Sequence, residues 1–210
     1  MIEMETRLRV ARGIAKSETA AATIVFETLK SRGHPTMPPP TVSDGWGGNR
    51  EAMIAVYGQV PAYQGRGRPP TQKQPLPGWQ YLQVVKQRDE HGNLIGIDLR
   101  VIFGDEDEVL ALLGCSTAYI ERTHLTMRHF NSRLTRKSLA FSKDIGLHCA
   151  AAAWEDLVYN LARPLKSLRL PATDHPTRRW WPQTPAMAAG LTDHIWSFRE
   201  LLFTVPLPDS

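Results

Sequence analysis

"PTMPPPTVSDGWGGNREAMIAVYGQV", Pro35 to Val60, decides the fold. Its prolines make a loop, and a very short apolar strand follows and ends at Asp44. Glycines then release the chain into a helix opened by "NREAMIAVYGQV". The result is an acid at the carboxyl end of a strand, in a chain whose order of elements reads as α/β. Ser43-Asp44-Gly45 is ordinary turn chemistry, and that is one reading of the acid. The other is metal chemistry. Phosphodiester cleavage by two metal ions needs acidic ligands that hold two Mg²⁺ roughly 4 Å apart, and a strand-end Asp is a suitable contributor.

Upstream, "TRLRVARGIA" (Thr6 to Ala15) interleaves Leu8, Val10 and Ile14 with arginines, which predicts a strand with one solvated face. "KSETAAATIVFETLKSRGH" follows, with Ser17 as N-cap, an apolar stripe of Ala21, Ile24, Val25 and Leu29, and Gly33 as the stop. Downstream, "PAYQGRGRPPTQKQPLPG" is a polar loop. "WQYLQVVKQ", the turn His91-Gly92-Asn93 and "LIGIDLRVIFG" then predict a β-hairpin, read as an insertion over about 61–104. "DEDEVLALLG" is a short helix whose first-turn acids suit the positive end of its dipole.

From about Thr117 to Lys137 the spacing predicts another helix, with Ile120, Met127, Phe130 and Leu134 on one stripe. It holds a single carboxylate, Glu121, followed by Arg122, Arg128, Arg133, Arg136 and Lys137 with no further acid. Glu121 and Arg128 stand two turns apart, roughly 10 Å along the axis and on nearly the same face. A solvated basic helix explains this spacing as well as a carboxylate that faces a groove while the cations beyond it take the phosphates of a nucleic acid. A further helix is expected at about Gly146 to Leu161, and a last one, "TDHIWSFRELLF", capped at Thr192.

Composition bounds the function. The 210 residues carry a formal charge of +4, which biases partners toward polyanions without proving nucleic-acid binding. "MIEMETRLRV" lacks the apolar core of a signal peptide and no apolar run is long enough to span a bilayer, so no membrane partner and a cytoplasmic location are expected. Cys115 and Cys149 stand apart, at neither disulfide-framework nor zinc spacing, and are expected to be reduced thiols.

"VSDGWGGNREAMIAVYG", "YIERTHLTMRHFNSRLTRKSLAFSKD", "YNLARPLKSLRL" and "TPAMAAGL", in that order, resemble the catalytic region of DDE transposases of bacterial insertion sequences. The similarity is greatest to the insertion-sequence-one group, within the retroviral-integrase-like superfamily, and it covers nearly the whole chain. It implies a ribonuclease H-like core over 1–161 and a helical and loop-rich tail over 162–210. It further implies DNA transposition, by metal-dependent strand cleavage and strand transfer at insertion-sequence ends. By this resemblance Asp44 matches the second acid of the triad and Glu121 the third, both as ligands of Mg²⁺ or Mn²⁺. Arg128 stands where the family keeps a basic residue seven after the Glu to contact transposon-end DNA. Arg133, Arg136, Lys137 and Lys143 extend that basic surface. The expected partners are DNA, as ends and as target, and further copies of the same chain.

The sequence departs from the family at several places. His124 stands where members usually carry Asn, and Leu165 where an Arg-Pro-His-x-Ser-Leu pattern would have His. The family's first Asp lies on a strand upstream of the one that "RLRVARGIA" resembles, and only Glu3 and Glu5 precede Thr6, so the triad and the fold are expected to be incomplete at the N-terminus. Asp98 in "IGIDLRV" is the one internal alternative, in an alternating context that suits a solvated acid better.

Two more stretches read either way. "GRGRPP", with Arg66 and Arg68, resembles the core of an AT-hook laid in the minor groove, or is a flexible basic linker. "RRWWPQ" places Trp180 and Trp181 beside Arg178 and Arg179, either to stack bases and grip phosphate or to plug the tail onto the core. The functional expectations are therefore two: a transposase that cuts and joins DNA, or an inactive truncated remnant that binds DNA or a partner subunit.

Overall fold

The computed structural model describes residues 1–65, 67–114, 118–135, 139–140, 142–173 and 176–204. The chain forms two compact units, Ala11–Ala118 and Met1–Val10 with Tyr119–Ser210. The class is mixed α/β. Among the described residues no helix is long and apolar enough to cross a membrane.

In the unit of residues 11–118, helix α1 (Glu18–Arg32) starts at Ser17, whose side chain accepts from the Ala20 amide, and stops at Gly33. Ala22, Phe26 and Leu29 form its buried face, while Ile24 is exposed. The expected stripe is thus rotated toward Phe26, which brings the larger ring inside. Strand β1 (Thr41–Asp44) and helix α2 (Gly48–Tyr57) follow, and α2 packs on α1.

Strand β2 (Tyr81–Arg88) pairs parallel with β1 and antiparallel with β3 (Leu94–Phe103). The sheet order is β1-β2-β3, so the hairpin supplies the central strand. Burial of Tyr81, Leu82, Gln83 and Val84 in succession follows, because a central strand is covered on both faces. Leu82 packs with Val109 and Leu113 of helix α3 (Glu106–Leu113), and Val42, Leu99 and Val101 close that layer. Asp105 caps α3 by accepting from the amides of Asp107 and Glu108. Around Trp79, the Tyr57 ring meets the indole edge-on at 6.3 Å and Phe103 does so at 5.4 Å.

In the other unit, Thr6 to Val10 does not extend as a strand. Its backbone folds back on the first residues, with Ile2 and Arg9 bridged antiparallel, and Arg7 takes a positive φ of 62°. Helix α4 (Ala118–Phe130) ends seven residues short of Lys137. Asn131 caps a tight 3-10 turn, Ser132–Leu134, by accepting from the Arg133 amide. Helix α5 (Ile145–Leu157) starts at Asp144 and widens into a π-helical turn, Val158–Ala162. That turn packs against helices α6 (Pro185–Ala188) and α7 (Phe198–Thr204), around buried Tyr159, Thr184, Ala186 and Leu201. The chain from the π-helical turn to α6 carries a two-stranded hairpin, β4 (Leu170–Pro171) and β5 (Trp180–Trp181). The last helix is capped by Ser197 rather than Thr192: the Ser197 hydroxyl accepts from the Glu200 amide and Glu200 accepts from the Ser197 amide.

Candidate functional site

Asp44 is exposed at the carboxyl end of β1, paired in register with Val84. Its Oδ1 accepts a long hydrogen bond, 3.4 Å, from the Trp46 amide, which is the turn role expected of Ser-Asp-Gly. A polar group of three residues lies beneath this turn. The Ser43 hydroxyl is 2.8 Å from the Tyr81 hydroxyl, and the Gln83 amide donates to the Tyr81 oxygen at 3.0 Å and to the Trp46 carbonyl at 3.2 Å. Burial pushes the Tyr81 phenol up, its bonds to Ser43 and Gln83 work downward, and the Asp44 charge adds to the rise. None of this was readable in advance except as alternation: Tyr81 and Gln83 lie two apart on a strand and so share a face. Gly45 cannot be enlarged without cost, since a Cβ there would meet Val85 Cγ2 at 2.9 Å.

Glu121 belongs to the unit that contains α4 and is exposed there. Thr123 is buried and Thr126 and Met127 are half-buried, so the apolar stripe holds at Met127. Phe130 departs from it, 62% exposed, with the Arg163 guanidinium 4.5 Å over its ring. Arg122 is exposed and Arg128 half-buried, and Arg133 is exposed in the turn beyond the helix. None of the three has an ion pair among the described residues. Lys143 is exposed just before Asp144, the cap of α5. Arg136 and Lys137 lie outside the described residues, as does Arg66. Arg68 is exposed in a loop where the Tyr63 hydroxyl donates to the Gly67 carbonyl and Gly65 and Gly67 take positive φ.

The upstream acids have other roles. Glu3 accepts from the Glu5 and Thr6 amides and the Thr6 hydroxyl; partial burial works upward on its carboxyl, but these bonds hold it below the usual range. Asp98 takes the Arg100 side chain at 2.7 Å on the partly exposed face of β3, the solvated position expected for it. Asp44 and Glu121 fall in different units, and each is described within its own. Among the described residues no group of three or more His, Cys, Asp or Glu side chains is placed to hold a metal ion.

Sequence reasoning also missed a buried charge. Arg9 lies between Glu155 and Asp156, at 3.2 and 3.0 Å, with its guanidinium 3.9 Å from the Tyr159 ring centroid. Burial pushes the Glu155 carboxyl up and Arg9 opposes it. The only sequence signal was an arginine inside an apolar alternation.

Compared with known proteins, the chain matches no family model, no curated protein and no solved structure.

Proposed function

We propose that the chain acts on DNA as a polypeptide of the insertion-sequence DDE transposase type, with a ribonuclease H-like core and phosphodiester cleavage and strand transfer as its reaction class. In this reading Asp44 and Glu121 are the contributed carboxylates and Arg128, Arg133 and Lys143 face DNA. The motif similarity set out above supports it. The observation that carries it is α4, where an exposed carboxylate heads a run of cations that have no ion pair among the described residues. Cations that make no ion pair with the protein's own acids are what a polyanion surface needs, because each phosphate neutralised releases counterions.

A second reading, a chain that binds DNA or a partner subunit without cutting, is favoured by one observation. Neither acid has two further ligands beside it among the described residues. The deciding experiment incubates the purified chain with a labelled duplex carrying its insertion-sequence end and Mg²⁺. Nicking by the parent chain that is abolished in both Asp44→Asn and Glu121→Gln, with salt-dependent binding kept, supports the enzyme reading. Binding without nicking selects the second, and absence of binding overturns both.

A further inference from the structure

The segment from Arg163 to Trp181 contains Arg163, Lys166, Arg169, Arg178 and Arg179 against a single acid, Asp174. Its fold turns this composition into a surface. β4 and β5 pair with Leu170 opposite Trp181 and Pro171 opposite Trp180, and the Ala172 amide donates to the Arg179 carbonyl at 3.1 Å. Both indoles are half-buried, while Lys166, Arg169, Arg178 and Arg179 are exposed.

The arginines stack on the indoles. Arg169 places its guanidinium 4.1 Å from the Trp180 ring centroid and Arg179 lies 5.8 Å from the same ring, while Arg178 lies 4.6 Å from Trp181. Neither Arg169 nor Arg179 has an ion pair among the described residues. Stacking uses the face of a guanidinium and leaves its in-plane N–H groups available, which is the edge that a phosphate takes bidentately. It also restricts a long side chain before any ligand arrives, so less freedom is lost on binding. Arg163, at the start of the segment, lies over Phe130 at the end of α4, so the segment begins beside the basic helix.

We propose that the β4–β5 hairpin is a second DNA-contact surface that takes backbone phosphates of duplex DNA through Arg169 and Arg179 held on Trp180, with Lys166 adding charge. The inference rests on the DNA-binding part of the reading above and not on cleavage. Duplex is the form assigned because the stacked arginines already occupy the neighbourhood of the indole rings, which argues for phosphate contact over base stacking.

The test is fluorescence anisotropy of the full chain with a labelled duplex across a salt series, and with a single strand of equal length. Arg169→Gln with Arg179→Gln is expected to reduce the slope of log affinity against log salt by about 2, at roughly 0.9 per lost phosphate contact. Arg169→Lys with Arg179→Lys keeps both charges and should stay near the parent slope. An unchanged slope in the Gln pair overturns the inference, as does a Lys pair that falls as far as the Gln pair, which would mark a structural role. Tighter binding of the single strand than of the duplex also overturns it, as does no salt-dependent binding by the parent chain. Loss of the cleavage reading, with the slope difference intact, leaves the hairpin assignment standing.

Discussion

The Tyr81 hydroxyl lies 2.8 Å from the Ser43 hydroxyl across the parallel pair β1–β2, one residue before Asp44. It also accepts from Gln83, whose amide reaches on to the Trp46 carbonyl. The buried phenol is therefore the hub that ties the end of β1 to the turn carrying Asp44. Tyr81→Phe removes that hub while the ring still fills its place. We expect a loss of about 1 kcal/mol, the net worth of a hydrogen bond that leaves its partners with other contacts. Denaturant titration would measure it, and a loss near zero would mean that the turn is held by backbone alone.

Asn160 makes the stronger prediction. Its side chain accepts from the Arg9 amide and donates to the Arg9 carbonyl, each at 3.0 Å, so one amide group stands in for a neighbouring strand. Asn160→Ala leaves two backbone groups of a buried residue unmatched, at about 1–3 kcal/mol for each that water cannot reach. Arg9→Ala leaves Glu155 and Asp156 facing one another and should cost about 3–5 kcal/mol, whereas Arg9→Ala combined with Glu155→Gln should recover part of it. Unfolding free energies of the three variants check the order.

This same residue shows where the sequence ceased to be legible. Leu8, Val10 and Ile14 alternate with polar residues as a strand would, yet they are half-buried while Arg9 is buried, its backbone satisfied by an amide 151 residues away. Alternation reports which residues share a face, not whether a strand partner exists. Elements set by local chemistry were readable: the cap at Ser17, the acid-headed helix α3, the hairpin turn at His91-Gly92-Asn93, and the strand ending at Asp44. So was the partly exposed setting of Asp98. The Tyr81 group was not, because it depends on the parallel pairing of β1 with a strand some forty residues later, a long-range choice that no local pattern states. For the candidate site the residue types were legible, and the roles given to Asp44 and Glu121 came only through the family resemblance.

Gly104 joins β3 to α3 with a φ of 103°, a backbone that L side chains rarely adopt. A Cβ there would lie 2.7 Å from Val109 Cγ2 and 3.0 Å from the Trp79 carbonyl. Gly92, in the hairpin turn, has a φ of 83° with nothing within 4 Å of a Cβ. Gly92→Ala should cost about 1–2 kcal/mol for the left-handed backbone alone. Gly104→Ala adds a clash with the layer that α3 forms on the sheet and should cost more. Equal losses in thermal melts would show that Val109 shifts freely, and the close packing of α3 would then not hold.

His194 supplies a pH dependence in the unit that contains α7. Its Nδ1 lies 2.6 Å from Asp193 and its Nε2 3.2 Å from Glu200, and the Trp196 ring stacks on the imidazole at 6.0 Å. The bond to Asp193 chiefly, with the bond and charge of Glu200, raises the imidazole above its ordinary value. A raised histidine contributes stability that is fully present below its unfolded pKa, about 6.5, and that is lost as pH rises through the higher folded value. The site is exposed, so the effect should be small and should shrink further with salt. His194→Gln should therefore lower the melting temperature slightly at acidic pH, down to the point where Asp193 and Glu200 protonate, and match the parent at alkaline pH. An NMR titration of the His194 ring should give a pKa above 6.5 that falls in Asp193→Asn. A value that does not move in that variant would assign the shift to Glu200, and one at or below 6.5 would mean that the pair does not form in solution.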